Sequence, residues 1–168
     1  RPDVDLGKVF TEVNKLLCQS NNEGLFITAF EGVLDLVTGE FCFVNAGHEM
    51  PFIAKSGNAY EPYKLRPGFV LAGMEGMKYQ SGCIQLSPGD KIFQYTDGVT
   101  EATNELYGME RLTNILVQNT AKSPAELLPV VKADIDAFVG EAPQFDDITM
   151  LCVTFVKAMD GGFTDYSS

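Results

Sequence analysis

The sequence predicts an α+β fold, and three observations support this prediction. The chain has 168 residues, of which 45% are apolar and 21% charged, as is ordinary for one globular domain. Apolar residues recur at helical spacing near the start and again in the last third. Between these parts lie short runs rich in β-branched and aromatic residues, bounded by turn residues. An order of helix, several antiparallel strands, two helices and a final strand is typical of α+β proteins.

Three segments are predicted to be helical. The first spans roughly residues 4–19, with Asp3 or Asp5 available as its N-cap. The second spans residues 108–119. The third starts at Ser123-Pro124-Ala125-Glu126, where a capping box is combined with proline at the first helical position, and it ends at Gly140.

The strands predicted at 25–36 and 41–45 carry apolar residues on both faces, which indicates cover on both sides, as in a sandwich or a layered α/β arrangement. The turn around Thr38-Gly39 makes a hairpin of the runs on either side of it. We expect residues 81–86 and 91–96 to be neighbouring strands. The predicted strands are 25–36, 41–45, 51–54, 81–86, 91–96 and 149–155.

The net charge of -11 limits the possible partners. A nucleic-acid phosphate backbone needs a basic protein face, and so does an anionic membrane surface. No run approaches the ~20 apolar residues of a membrane span, so we expect no direct membrane insertion. An acidic protein that handles a phosphorylated substrate needs metal cations to reverse the local charge.

The four cysteines, Cys18, Cys42, Cys83 and Cys152, are widely spaced and form no C-x-x-C motif. Each lies in an apolar helix or strand context, which favours buried free thiols over a disulfide or a metal site. Free thiols indicate a reducing, cytoplasmic compartment.

Two acidic positions lie at the ends of predicted strands. Asp97 follows the strand 91–96 and precedes Gly98, while Asp146 and Asp147 precede the strand 149–155. Carboxylate oxygens are the ligands that Mg²⁺ and Mn²⁺ prefer, with water filling the other positions. The alternative is that these aspartates are turn residues that cap strands.

The chain is poor in other catalytic groups. His48 is its one histidine, there is no G-x-S-x-G elbow, and no phosphate-binding glycine motif is present. For His48 itself, hydrogen bonding within a turn is favoured over a role in a catalytic triad. Two metal ions that activate a water need neither a triad nor a covalent intermediate, and this chemistry fits the available residues.

Four motifs in order resemble the SpoIIE/RsbU-like branch of the metal-dependent (PPM-type) Ser/Thr protein phosphatases. The resemblance runs from about Leu6 to Phe155, and the ordered set is far more specific than any single motif. The motifs are Asn45-Ala46-Gly47-His48, Pro88-Gly89-Asp90, Tyr95-Thr96-Asp97-Gly98-Val99-Thr100-Glu101-Ala102 and Gln144-Phe145-Asp146-Asp147-Ile148-Thr149.

The resemblance implies an α-β-β-α sandwich of antiparallel sheets flanked by helices, with a two-metal centre at one edge. It implies that Asp97 and Asp146 are ligands of Mn²⁺ or Mg²⁺, and that Gly98 and Asp147 support them. The implied reaction is hydrolysis of phosphoserine or phosphothreonine on a phosphorylated regulatory protein, typically an anti-sigma-factor antagonist.

The Asn45-Ala46-Gly47-His48 motif also matches the family, but the match assigns Asn45, Gly47 and His48 no chemical role. We interpret this motif as a turn that shapes its loop.

One family feature has no match. The family's metal-bridging aspartate lies in a D-x-S-G-H-G-like segment upstream of the helix at 4–19, and no such segment exists here. We therefore expect a phosphatase domain truncated at its N-terminus and missing its first strands, itself inactive and binding metal weakly through one ion or not at all. Unpaired strand edges would then favour a homodimer.

The expected domain is residues 1–156, followed by a mobile tail at 157–168. Two alternatives to an active phosphatase stay open. One is a non-catalytic pseudophosphatase that binds a partner and transmits a signal. The other is an acidic binding module with a weak structural cation at its turns.

Overall fold

Two antiparallel sheets face each other, with helices on both outer sides, in the computed structural model of the protein. The structure describes residues 5–64, 67–102, 107–142 and 146–156. Within these ranges the layers run helix, three-stranded sheet, four-stranded sheet, helix pair. The α+β class and the α-β-β-α sandwich are confirmed.

The three predicted helices are present. Helix α1 is Leu6–Ser20, and Asp5 is its N-cap, accepting hydrogen bonds from the backbone N–H groups of Gly7 and Lys8. Helix α2 is Gly108–Gln118. Helix α3 is Pro124–Val139, and the predicted capping box between Ser123 and Glu126 forms in both directions.

The first sheet has the order β1-β2-β5. Strands β1 (Ala29–Leu34) and β2 (Glu40–Ala46) form the predicted antiparallel hairpin, and β5 (Ser81–Gln85) pairs with the other edge of β2. Strand β1 begins four residues later than the apolar run at Leu25 suggested, because Leu25, Phe26 and Ile27 are largely exposed and precede the hairpin ladder.

The second sheet has the order β4-β3-β6-β7 and is antiparallel throughout. Its central strand β6 (Lys91–Tyr95) lies between β3 (Phe52–Ala54) and β7 (Met150–Thr154). The short β4 (Glu61–Pro62) is the far edge. Strand β6 is therefore hydrogen-bonded along both edges, which fixes the point where the chain leaves the sheet after Tyr95.

Three apolar cores fill the spaces between the four layers. Alternation along β2 supplies two of them: Phe41 and Phe43 point to the other sheet, while Val44 and Ala46 point to α1. The third core lies between the second sheet and helices α2 and α3. Its buried members include Phe52, Phe93, Tyr95, Leu112, Leu116, Leu127, Val131 and Ile135.

The prediction that residues 81–86 and 91–96 are neighbouring strands is wrong, since β5 and β6 lie in different sheets. The link between them crosses the sandwich and is fixed by Asp90, which is 1% exposed. Its carboxylate accepts hydrogen bonds from the backbone N–H groups of Ser56 at 2.7 Å and Ser87 at 2.9 Å, and from Lys55 Nζ at 2.9 Å. Burial alone would raise the pKa of Asp90, but these donors hold it below its ordinary value.

The prediction of four free thiols is wrong for Cys42 and Cys83, which form a disulfide. They are opposite each other in the antiparallel pairing of β2 with β5, with Cα atoms 4.0 Å apart. Their separation of 41 residues concealed this in the sequence. Cys18 and Cys152 are free. Two free thiols instead of four give weaker support for a reducing compartment, and a cytoplasmic location stays a prediction.

Across the described ranges, no helix combines the length and the apolarity that crossing a membrane requires. The predicted mobile tail at 157–168 lies outside the described residues.

Candidate metal centre

The residues singled out in the sequence come together at one edge of the sandwich. Strand β6 ends there at Tyr95, and its antiparallel neighbours β3 and β7 both start there. The turn at 45–51 leads into β3, and the segment 146–149 leads into β7. The topology thus places Asn45-Ala46-Gly47-His48, Asp97 and Asp146 on the same edge, although they are far apart in the chain.

Asp97 opens a single 3₁₀ turn, Asp97–Val99, as the chain leaves β6. Its Oδ1 atom accepts a hydrogen bond from the backbone N–H of Gly98 at 3.0 Å. Its backbone carbonyl accepts hydrogen bonds from the N–H of Glu101 at 2.8 Å and from the Thr100 hydroxyl at 3.1 Å. The Asp97 side chain is exposed, so the turn fixes its backbone while presenting its carboxylate to solvent.

Gly98 brings the two acidic segments into contact. A Cβ atom at this position would lie 2.3 Å from the carbonyl oxygen of Asp147 and 3.4 Å from the carbonyl carbon of Asp146. The main chain of 146–147 therefore passes directly over Gly98, next to Asp97. Only glycine permits this approach, since no other residue leaves the space open.

The segment that precedes β7 has its own fixed geometry. Asp146 Oδ1 accepts a hydrogen bond from the backbone N–H of Asp147 at 2.7 Å. Asp146 and Asp147 are both exposed, as is Asp97. Three carboxylates thus face solvent at one edge, where each repels the others and attracts cations.

The donor set fits a hard divalent cation, because carboxylate oxygens with water are what Mg²⁺ and Mn²⁺ accept. Each carboxylate offers about four lone-pair positions, so one backbone hydrogen bond does not exhaust Asp97. Among the described residues, however, no three acidic, histidine or cysteine side chains are grouped closely enough to enclose a metal ion.

The Asn45-Ala46-Gly47-His48 motif is a turn held by its own side chain. Asn45 is 6% exposed, and its amide accepts from the His48 N–H and donates to the His48 carbonyl, both at 2.8 Å. Gly47 has φ +71°, and a Cβ there would lie 2.5 Å from Val70 Cγ1. The His48 ring contacts Thr28, with Nδ1 3.3 Å from Oγ1.

Two residues at this edge were not identified from the sequence. Thr96 lies within a motif that gave it no role, yet its hydroxyl donates a hydrogen bond to the Asp147 carbonyl oxygen at 3.1 Å. Glu49 follows His48, and its Oε2 atom accepts a hydrogen bond from the Tyr95 hydroxyl at 3.3 Å. Burial, reinforced by Glu49, raises the pKa of Tyr95, so this phenol stays protonated. The one sequence signal for Thr96 was its position as a polar residue directly before the motif aspartate Asp97.

Comparison with known proteins identifies the family. The profile described as Stage II sporulation protein E (SpoIIE) matches residues 1–156. Protein IcfG of Synechocystis sp. is 34% identical over 132 residues, covering 77% of this chain and 20% of that protein. Phosphoserine phosphatase RsbU of Bacillus subtilis is 27% identical over 124 residues, covering 72% of this chain and 37% of that protein. The chain thus spans well under half the length of these curated relatives.

A solved structure supports the fold. The phosphatase domain of the cell fate determinant SpoIIE from Bacillus subtilis, presoaked with Mn, superposes with a TM-score of 0.68. The match covers 96% of this chain and 71% of that chain at 15% identity. Together with the two relatives and this shared fold, the match of the family profile shows that the chain belongs to the SpoIIE family, in the SpoIIE/RsbU-like branch of the PPM-type protein phosphatases.

Proposed function

We propose that this chain is the main part of a metal-dependent protein Ser/Thr phosphatase domain. The observation that carries the proposal is the contact made possible by Gly98, which sets Asp97 beside the Asp146–Asp147 segment at the end of β6. A family whose member RsbU is a phosphoserine phosphatase supports the same chemistry.

Asp97 and Asp146 are the residues that would hold Mn²⁺ or Mg²⁺. When bound, two such ions activate a water for attack at phosphorus and offset the charge of the phosphate. Gly98 and Asp147 set the spacing of the two ligands through their backbone contact. Without cations, the exposed carboxylates of this edge would repel a phosphorylated substrate.

A complete two-metal centre needs more ligands than the described residues provide. In the family that the sequence motifs resemble, a further aspartate lies upstream of the segment that corresponds to α1. We therefore propose that this chain alone binds one ion weakly and has little or no turnover. Joined to an upstream segment that carries that aspartate, it becomes active.

The proposed substrate is a phosphorylated regulatory protein, such as an anti-sigma-factor antagonist. The relative RsbU, a phosphoserine phosphatase, supports a phosphoserine substrate. The net charge of -11 argues against nucleic acid as a partner.

The decisive experiment compares the chain alone with a longer protein that includes the upstream segment. Both are assayed with a phosphoserine peptide and an aryl phosphate under saturating Mn²⁺. We expect Mn²⁺-dependent turnover from the longer protein. In that protein Asp97→Asn should lower the turnover rate by at least about a hundredfold, because losing a metal ligand weakens binding of the cation whose positive charge stabilises the transition state. No turnover from the longer protein would refute the proposal.

A pseudophosphatase is the second candidate, and it is favoured by the lack of any three-ligand group among the described side chains. It predicts that the longer protein binds a phosphorylated partner but never hydrolyses it. The same assay, read beside a binding measurement, separates the two functions.

Self-association through strand edges is also part of the proposal. Strands β1 and β7 are outer strands of their sheets within the described residues, and Val33, Leu151 and Val153 on them are 42%, 58% and 40% exposed. Such edges can add a strand from a second copy. Sedimentation at increasing protein concentration would reveal the dimer.

A further inference from the structure

The hydrogen-bond ladder between β6 and β7 changes its partners at Thr96. The backbone N–H of Thr96 donates to the carbonyl oxygen of Thr149 at 3.1 Å, as in a regular antiparallel pair. In such a pair the Thr149 N–H would donate back to the Thr96 carbonyl. That carbonyl instead accepts from the N–H of Val99 at 3.0 Å, because the chain is already entering the 3₁₀ turn.

The Thr96 side chain replaces the diverted carbonyl. Its Oγ1 atom accepts the Thr149 N–H at 3.1 Å and donates to the Asp147 carbonyl at 3.1 Å. A hydroxyl has one donor and two acceptor positions, so it can make both bonds at once. One side chain therefore holds two points of the segment that leads into β7.

These two bonds join the two segments that carry the proposed metal ligands. Asp97 directly follows Thr96, and Asp146 directly precedes Asp147. The hydroxyl thus bonds to the same Asp147 carbonyl that packs closely against Gly98, and both contacts hold the two acidic segments together. Metal ligands must keep their spacing within about 0.5 Å to bind well.

We propose that Thr96 is a positioning residue whose hydroxyl fixes the separation of Asp97 and Asp146, and with it the affinity of this edge for a divalent cation. The inference rests on the proposed function, and it adds a residue that acts by holding the backbone of the two ligand segments together. A side chain that orients metal ligands typically changes affinity by about 10–100-fold when removed.

The test uses four variants of the chain. Thr96→Val removes the hydroxyl and keeps the shape, Thr96→Ser keeps the hydroxyl, and Thr96→Ala serves if the valine variant fails to fold. Thr154→Val is the matched control on β7, because the Thr154 hydroxyl is buried and has no hydrogen-bond partner among the described residues.

Two readouts are needed, one without metal and one with it. Amide hydrogen exchange without metal should show faster exchange of the Thr149 N–H in Thr96→Val but not in Thr96→Ser. Calorimetric titration with Mn²⁺ should show affinity about tenfold weaker in Thr96→Val, near wild type in Thr96→Ser, and unchanged in Thr154→Val.

The outcomes separate this inference from the function on which it rests. Faster Thr149 exchange together with unchanged Mn²⁺ affinity would overturn the positioning role and leave the metal site standing. Unchanged exchange in Thr96→Val would overturn the hydrogen-bond argument itself. No Mn²⁺ binding by the wild-type chain, with the exchange effect present, would overturn the proposed metal site and the inference with it.

Discussion

Replacing Gly98 with alanine is the sharpest test of how the two acidic segments meet. The added Cβ would lie 2.3 Å from the Asp147 carbonyl oxygen and 2.9 Å from its carbonyl carbon. Non-bonded heavy atoms rest at about 3.5 Å, so the segment 146–147 must retreat by about 1 Å. The atoms that the Cβ would meet belong to the backbone of Asp146 and Asp147, which cannot turn away as a flexible side chain can.

The retreat has two measurable costs. Overpacking of this kind destabilises a protein by about 1–3 kcal/mol, which a urea titration would detect. It also separates Asp97 from Asp146, so we expect Mn²⁺ affinity to fall by about tenfold or more in calorimetry.

Gly57→Ala is the matched control. Gly57 has φ +82° and nothing within 4 Å of a Cβ, so alanine there costs conformational strain of about 1–2 kcal/mol without any steric contact. Both variants should lose similar stability, and only Gly98→Ala should lose metal affinity. Wild-type Mn²⁺ affinity in a folded Gly98→Ala protein would refute the reasoning.

Two further predictions concern stability. Reducing the Cys42–Cys83 disulfide should cost up to about 4 kcal/mol in urea unfolding, given its separation of 41 residues, and a Cys42→Ala/Cys83→Ala variant should not respond to the reductant. The Arg111 guanidinium holds the pKa of Asp134 below its ordinary value, so this carboxylate stabilises the fold above the unfolded pKa. That stabilisation should vanish as pH falls through the lowered pKa of Asp134 in the folded state, and Asp134→Asn should lack this loss of stability in acid unfolding. Identical acid-unfolding profiles for wild type and Asp134→Asn would contradict the prediction.

The helices could be predicted because their signals are local. The capping box of α3 and the spacing of its apolar residues lie within a single stretch of sequence, and the structure reproduces both. Hairpin β1–β2 was equally accessible, since one turn joins its strands.

Pairings across the sandwich could not be predicted from local pattern. Strands β5 and β6 are consecutive in sequence, yet the buried Asp90 anchors a crossing that sends them to different sheets. The Cys42–Cys83 bond depends on the register of β2 against β5, which no periodicity in the sequence reveals.

The candidate site was predicted in part. The ordered motifs identified Asp97, Gly98, Asp146 and Asp147, and the topology brings them to one edge. The role of Thr96 stayed hidden because it depends on where the backbone carbonyl of β6 turns away from β7.

The most direct test of the central claim is Mn²⁺ binding followed by electron paramagnetic resonance. The claim is that Asp97 and Asp146 together form a cation site. Wild type should bind Mn²⁺, and Asp97→Asn and Asp146→Asn should each abolish that binding. Asp136→Asn, which changes an exposed carboxylate on α3, should leave it intact. Equal binding by all four proteins would contradict the account.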